Sequence, residues 1–119
     1  MIKLVASDLD GTLLLKGAQS LPEEIFPLIR QLKEMGILFV AASGRQYANM
    51  IKMFRPVVDD MGFISENGGL AVYNEKVLYQ ENFEQSLARE IAESIYRREG
   101  SEFTCSTRDF YYILPKTEH

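Results

Sequence analysis

Asp8 and Asp10 stand one residue apart and are followed at once by Gly11, in the run Asp8-Leu9-Asp10-Gly11-Thr12-Leu13. Two carboxylates at this spacing suit a divalent, oxygen-seeking cation with an electrophile held beside it. Gly11 lets the backbone turn sharply and bring amides toward an anion. The Thr12 hydroxyl can orient one carboxylate by a hydrogen bond. The same residues also read as a plain turn, because Asp-Gly is a favoured turn dipeptide. Position favours chemistry over the turn. The run follows directly on residues 2–7, a short apolar stretch of strand formers, and ligand sites in parallel α/β sheets lie at the carboxyl ends of strands. Ser43-Gly44 ends the next apolar stretch, so two neighbouring strand ends would converge on one anion.

The elements that hold these residues follow from pattern. Residues 2–7 and 37–42 are continuous apolar runs, as expected of strands buried on both faces. Between them Ser20-Leu21-Pro22-Glu23 has the Ser-x-x-Glu form of a capping box, and Ile25, Leu28, Ile29, Leu32 and Met35 recur at helical offsets. Gly36 supplies the stop, and Pro27 predicts a kink. A second helix is expected from Gln46 to Phe54, ending before Pro56. Phe63 and Ile64 make a short third strand that ends at Glu66-Asn67-Gly68-Gly69. Asp59-Asp60-Met61-Gly62, just before it, reads as a solvated helix-end turn. Strand, helix, strand, helix, strand predicts an α/β fold: a partial Rossmann-like parallel sheet with right-handed crossovers.

After Gly69 the pattern changes. Residues 70–73 and 77–80 flank Asn74-Glu75-Lys76 as a hairpin. Residues 84–99 carry Leu87, Ile91 and Ile95 at spacing four, an apolar stripe on a solvated, Glu-rich helix. Residues 102–106 and 110–114 pair as a second hairpin, with Tyr111 and Tyr112 as strand residues. A boundary falls near residue 82.

Composition narrows the class. Hydrophobic residues make up 46% and charged residues 25% of 119, which argues against disorder. No apolar run approaches the roughly 18 residues of a membrane span, and the opening residues do not form a secretion signal. Thirteen basic residues against 17 acidic ones give a net charge of −4. That balance disfavours nucleic acid and acidic membranes as partners. The single cysteine, Cys105, excludes an internal disulfide and a Cys-rich zinc site, and is expected to pack as a small buried hydrophobe. A cytoplasmic location is the expectation. His119, at the chain end, is expected to be disordered.

Asp8-Leu9-Asp10-Gly11-Thr12-Leu13 resembles the first motif of the haloacid dehalogenase superfamily of phosphohydrolases. Ala42-Ser43-Gly44-Arg45 resembles the second motif, and Ser65-Glu66-Asn67-Gly68-Gly69 is similar to the Glu-Asn-Gly signature of the Cof-type branch. They stand in the family's order, each at a predicted strand end, and the resemblance covers essentially the whole chain. It implies that residues 1–82 are the N-terminal part of a hydrolase core, with its first three parallel strands. Residues 83–119 would be the start of an α/β cap. It further implies a magnesium-dependent phosphatase of small phosphorylated metabolites, sugar phosphates above all. Asp8 would be the nucleophile that forms an aspartyl-phosphate, and Asp10 the acid and then the base. The Asp8 carboxylate and the Asp10 carbonyl would hold Mg2+. The Ser43 hydroxyl and the Leu9 and Gly44 amides would bind phosphate oxygens. Arg45 is either a contact to substrate or cap or an ordinary surface residue. Asn67 either faces the cleft or serves the turn. Glu66 is read as orienting the loop, without a catalytic part.

The chain departs from the family pattern after its second motif. A later lysine and a second acidic, metal-binding segment are not found in it, and Lys116 is not assigned that role. The alternative is therefore a truncated, non-catalytic fragment that binds ligand or self-associates. In the family's fold the first strand is central, so here residues 2–6 would form an apolar sheet edge, a pairing hazard. In an ordered chain that edge is expected to be covered, by another chain or by a rearranged segment. A phospho-accepting receiver module is disfavoured, since it needs an aspartate after the third strand where Ser65-Glu66-Asn67 stands.

Overall fold

The computed structural model describes residues 1–114. Strands β1 (Leu4–Asp8), β2 (Leu38–Ala42) and β3 (Met61–Ser65) run parallel. They are joined by helix α1 (Ile25–Glu34), and then by helix α2 (Tyr47–Met53) with a 3₁₀ segment, Arg55–Asp60. The expected hairpin, β4 (Leu70–Tyr73) and β5 (Lys76–Gln80), adds antiparallel to β3. The result is one mixed sheet in the order β1-β2-β3-β4-β5. The parallel α/β core is thus present, and the hairpin extends its sheet.

β2 and β3 are buried almost throughout, the pattern of interior parallel strands. Their residues Phe39, Ala41, Met61 and Phe63 form the core with Ile29 of α1, Met50 of α2, and Phe54 and Val57. Edge-to-face contacts of Phe63 with Tyr47 and Phe54, at 5.7 and 6.0 Å between ring centres, fix α2 against the sheet.

Several local readings are corrected. α1 begins at Ile25, and no side chain caps it. The Ser20/Glu23 box does not form, because a backbone turn occupies its place, with Ile25 N–H bonded to Pro22 O and Phe26 N–H to Glu23 O. Pro27 therefore sits in the first helical turn, where a missing donor costs no intrahelical bond. Gly36 does end the helix, at φ +73°. Met61 and Gly62 belong to β3. Asp60 pairs with Lys33 at 2.6 Å and with Arg30 at 3.7 Å, tying α1 to the segment before β3. The β4–β5 turn is the two residues Asn74-Glu75, both left-handed (φ 51° and 60°), and Lys76 already lies in β5.

β1 is an edge strand, with Ile2 and Leu4 exposed. Among the described residues no segment pairs with its outer side, which removes a rearranged segment as the expected cover. The chain divides into two compact units, the first ending at Gln80 and the second beginning at Glu81. Within the second, α3 (Gln85–Tyr96) packs on β6 (Phe103–Ser106), which pairs as a hairpin with β7 (Tyr111–Leu114). Cys105 on β6 is exposed, against expectation, because a two-stranded ribbon cannot bury both its faces. Lys116 and His119 lie outside the described residues. Among the described residues no helix is long and apolar enough to cross a membrane.

Candidate active site

In the parallel register Asp8 is level with Ala42, and Ala42 with Ile64. The loops after β1, β2 and β3 therefore leave the same end of the sheet side by side. That is where loops of parallel sheets converge on ligands.

The first loop is built around a buried residue. Leu9 is 0% exposed, and the carboxylates on either side of it are exposed. Strand-like alternation accounts for this: anchoring Leu9 in the core turns both acids outward. The Leu9 carbonyl accepts bonds from the Thr12 N–H (3.1 Å) and the Leu14 N–H (2.7 Å), and the Gly11 N–H donates to Leu14 O at 2.8 Å. Gly11, at φ +89°, makes the sharp turn as expected. Its amide is consumed inside the loop, so it does not serve an anion. Among the described residues the Thr12 hydroxyl makes no hydrogen bond, so it orients neither carboxylate. The same holds for the Asp8 carboxylate, which stands open at the strand end.

Asp10 is held from the second loop. Arg45 donates from Nε to Oδ2 at 2.8 Å and from Nη2 to Oδ1 at 2.7 Å, a two-pronged pair across 35 residues. These hydrogen bonds, with the charge behind them, hold the Asp10 carboxyl below its usual range and raise Arg45. Both side chains are partly exposed, 56% and 40%, so solvent screens the attraction. Arg45 thus contacts Asp10, a relation that no local pattern in the sequence signals. Ser43 Oγ accepts from the Arg45 N–H at 3.2 Å, leaving its own proton free to donate. The Gly44 N–H has no hydrogen-bond partner among the described residues.

The third loop leans on the second. Ser43 N–H donates to Ile64 O (2.9 Å), Glu66 N–H to Arg45 O (3.1 Å) and Asn67 N–H to Ser43 O (3.3 Å). Glu66 and Asn67 are both left-handed, at φ 53° and 54°. That region costs a residue with a Cβ about 1–2 kcal/mol, and asparagine the least. A Cβ on Gly44 would lie 2.6 Å from Asn67 Oδ1, so any larger residue there displaces that side chain. The Asn-Gly pair in the sequence signalled the turn but not the packing.

The oxygens present suit a hard cation. The Asp8 carboxylate is free, and the Asp10 carbonyl accepts no hydrogen bond among the described residues. Among those residues no three metal-ligating side chains cluster, so the two aspartates account for part of a coordination shell.

The family model for haloacid dehalogenase-like hydrolases matches residues 5–119. A 5-amino-6-(5-phospho-D-ribitylamino)uracil phosphatase of Escherichia coli is 31% identical over 97% of this chain and 42% of its own length. Phosphoglycolate phosphatase 1 of Saccharolobus solfataricus is 32% identical over 98% of this chain and 51% of its own. A crystal structure from Eubacterium rectale superposes with a TM-score of 0.81 at 26% identity, covering 94% of this chain and 43% of that one. The chain spans about half the length, or less, of these relatives.

Proposed function

The chain belongs to the haloacid dehalogenase-like hydrolases, and from that premise we propose that it carries the nucleophile and phosphate-binding loops of a magnesium-dependent phosphatase of small phosphate monoesters. The observation that carries this is the open Asp8 carboxylate at the end of β1, with a neighbouring loop offering a free Gly44 N–H and a free Ser43 proton. A carboxylate without partners is available to attack, and preorganised donors beside it suit the charge of a phosphoryl group. Residues 1–82 act as the N-terminal part of the core, and residues 83–119 as the beginning of a cap.

In the proposed reaction an Asp8 oxygen bonds to phosphorus as the bond to the ester oxygen breaks. Asp10 gives its proton to the departing alkoxide. Water then attacks the aspartyl-phosphate, passes a proton to Asp10, and releases phosphate and the Asp8 carboxylate. Leu9 and Gly44 amides and the Ser43 hydroxyl hold the phosphate oxygens. Mg2+, held by the Asp8 carboxylate and the Asp10 carbonyl, would offset repulsion between carboxylate and phosphate. Arg45 has two partners to choose between. Without ligand its hydrogen bonds lower the Asp10 carboxyl, and an arriving phosphate would compete for the guanidinium and relieve that lowering. Asn67, on the adjoining turn, borders the same ligand.

Sugar phosphates are the proposed substrates. The Escherichia coli relative is named for a phosphorylated ribityl compound and the Saccharolobus relative for phosphoglycolate, both small monoesters. A cytoplasmic location is proposed, since small phosphorylated metabolites of that kind are intracellular. The bare β1 edge is proposed as a site of self-association. A second reading is a chain that binds phosphate without turnover. It is favoured by the incomplete set of metal ligands among the described residues.

One experiment separates the two. Hydrolysis of p-nitrophenyl phosphate by the purified 119-residue chain is followed with Mg2+, with chelator, and in Asp8→Asn. Turnover lost in both controls supports the phosphatase. A folded chain with no turnover rejects it for this chain and supports binding alone.

A further inference from the structure

We infer that Asn67 is a positioning residue which fixes the direction of the Gly44 N–H. This rests on the reading that the 43–45 loop binds phosphate. Asn67 N–H donates to Ser43 O at 3.3 Å. In a planar trans peptide the carbonyl of one residue and the N–H of the next point in opposite directions. Holding the Ser43 carbonyl toward the turn therefore aims the Gly44 N–H away from it. That N–H has no hydrogen-bond partner among the described residues.

The side chain closes the arrangement. Asn67 Oδ1 lies so near Gly44 that an added Cβ would come within 2.6 Å of it, with Asn67 Cγ and Nδ2 at 3.2 Å. A second peptide is pinned in parallel, because Glu66 N–H donates to Arg45 O at 3.1 Å. Gly44 is thus held from both neighbours by a turn whose Glu66 and Asn67 are both left-handed. Strain kept at such a turn is a mark of a geometry that the surroundings over-determine. Asparagine suits the post because it tolerates the left-handed region and is short enough to lie over a glycine. Asn67 acts on the ligand through Gly44.

The test is made on the 119-residue chain by NMR. The one-bond N–H residual dipolar coupling of Gly44 reports the direction of that bond and needs no ligand. Asn67→Gly keeps the left-handed backbone and the N–H bonded to Ser43 O, and removes only the side chain that lies over Gly44, so the coupling reads the side chain's own part in holding that peptide. The expected result is a changed Gly44 coupling with those of β1, β2 and β3 unaltered, and Asn67→Asp close to the parent. A lowered thermal midpoint with an unchanged Gly44 coupling would make Asn67 merely structural and overturn the inference. If Asn67→Gly does not fold, Asn67→Ala replaces it, since it too removes the Oδ1 atom that lies over Gly44; an unchanged Gly44 coupling in that variant overturns the inference. Titration with inorganic phosphate and Mg2+ is a separate arm. A Gly44 amide shift in the parent and a dissociation constant about tenfold higher in Asn67→Gly support the role. A parent chain whose loop amides ignore phosphate sinks the phosphate reading, and the coupling still decides what Asn67 does.

Discussion

Replacing Leu9 by alanine should cost the chain about 3–4 kcal/mol and pull both carboxylates out of register. Leu9 is the buried pivot between Asp8 and Asp10, at 0% exposure in a cluster with Leu14, Leu21 and Ile29. Three carbons leave the core, a transfer loss of about 2.4 kcal/mol at ~0.8 per methylene. The loop is closed by two hydrogen bonds onto the Leu9 carbonyl, so it cannot collapse far into the space. The remaining cavity adds roughly another 1 kcal/mol, within the measured span of buried Leu→Ala changes. For a unit of 80 residues, each kcal/mol moves the midpoint by about 4–8 °C, so a fall of about 12–32 °C is expected. Urea and thermal denaturation read it directly. Leu15→Ala, at a site 69% exposed, should stay within about 0.5 kcal/mol of the parent. A Leu9→Ala loss below about 1 kcal/mol would refute the claim that this side chain anchors the loop.

The Asp10 side-chain carboxyl should titrate below its ordinary 3.8 because Arg45 hydrogen-bonds its ionised form, and carbon-detected NMR should show the midpoint rise in Arg45→Gln. A lowered carboxyl adds stability above its unfolded pKa and loses it as pH falls through the folded value, so any Arg45-dependent stability should vanish on the acid side, and a loss on the alkaline side would contradict the pairing. Glu75→Gly should stabilise the β4–β5 turn by about 0.5–1 kcal/mol, since Glu75 stands at φ 60° after an asparagine, where Asn-Gly is preferred; destabilisation in chemical unfolding would count against that. Leu4→Lys should abolish concentration-dependent association in sedimentation experiments if the bare β1 edge carries it, because a lysine blocks strand addition.

Much of the architecture was legible because its causes are local. Residues 37–42 and the β4–β5 segments carry hydrophobic patterns that fit one kind of element, and Gly36 marks a helix end by its tolerance of positive φ. Errors arose where a local signal met a competing arrangement. Ser20 and Glu23 match a capping box, but a backbone turn from Pro22 and Glu23 took over the free amides of α1. Met61 and Gly62 look like a turn after two aspartates, and became strand because pairing with Phe39 and Val40 drew them into the sheet. Residue type alone points to a buried Cys105, while the small ribbon it belongs to leaves it exposed.

The site divides along the same line. Asp8, Asp10, Ser43 and Gly44 could be singled out because each stands just after a continuous apolar run, and strand ends are where a parallel sheet exposes its loops. That placement, and the family, the sequence determined by itself. The Arg45–Asp10 pair spans 35 residues, the Glu66–Asn67 turn bonds back across more than 20 residues to Ser43 and Arg45, and the Gly11 amide proved to be spent on Leu14. Only the tertiary structure decided these. Partners for polar groups are set by which loops the register of β1, β2 and β3 brings side by side, and register is a property of paired strands that no single stretch of chain carries.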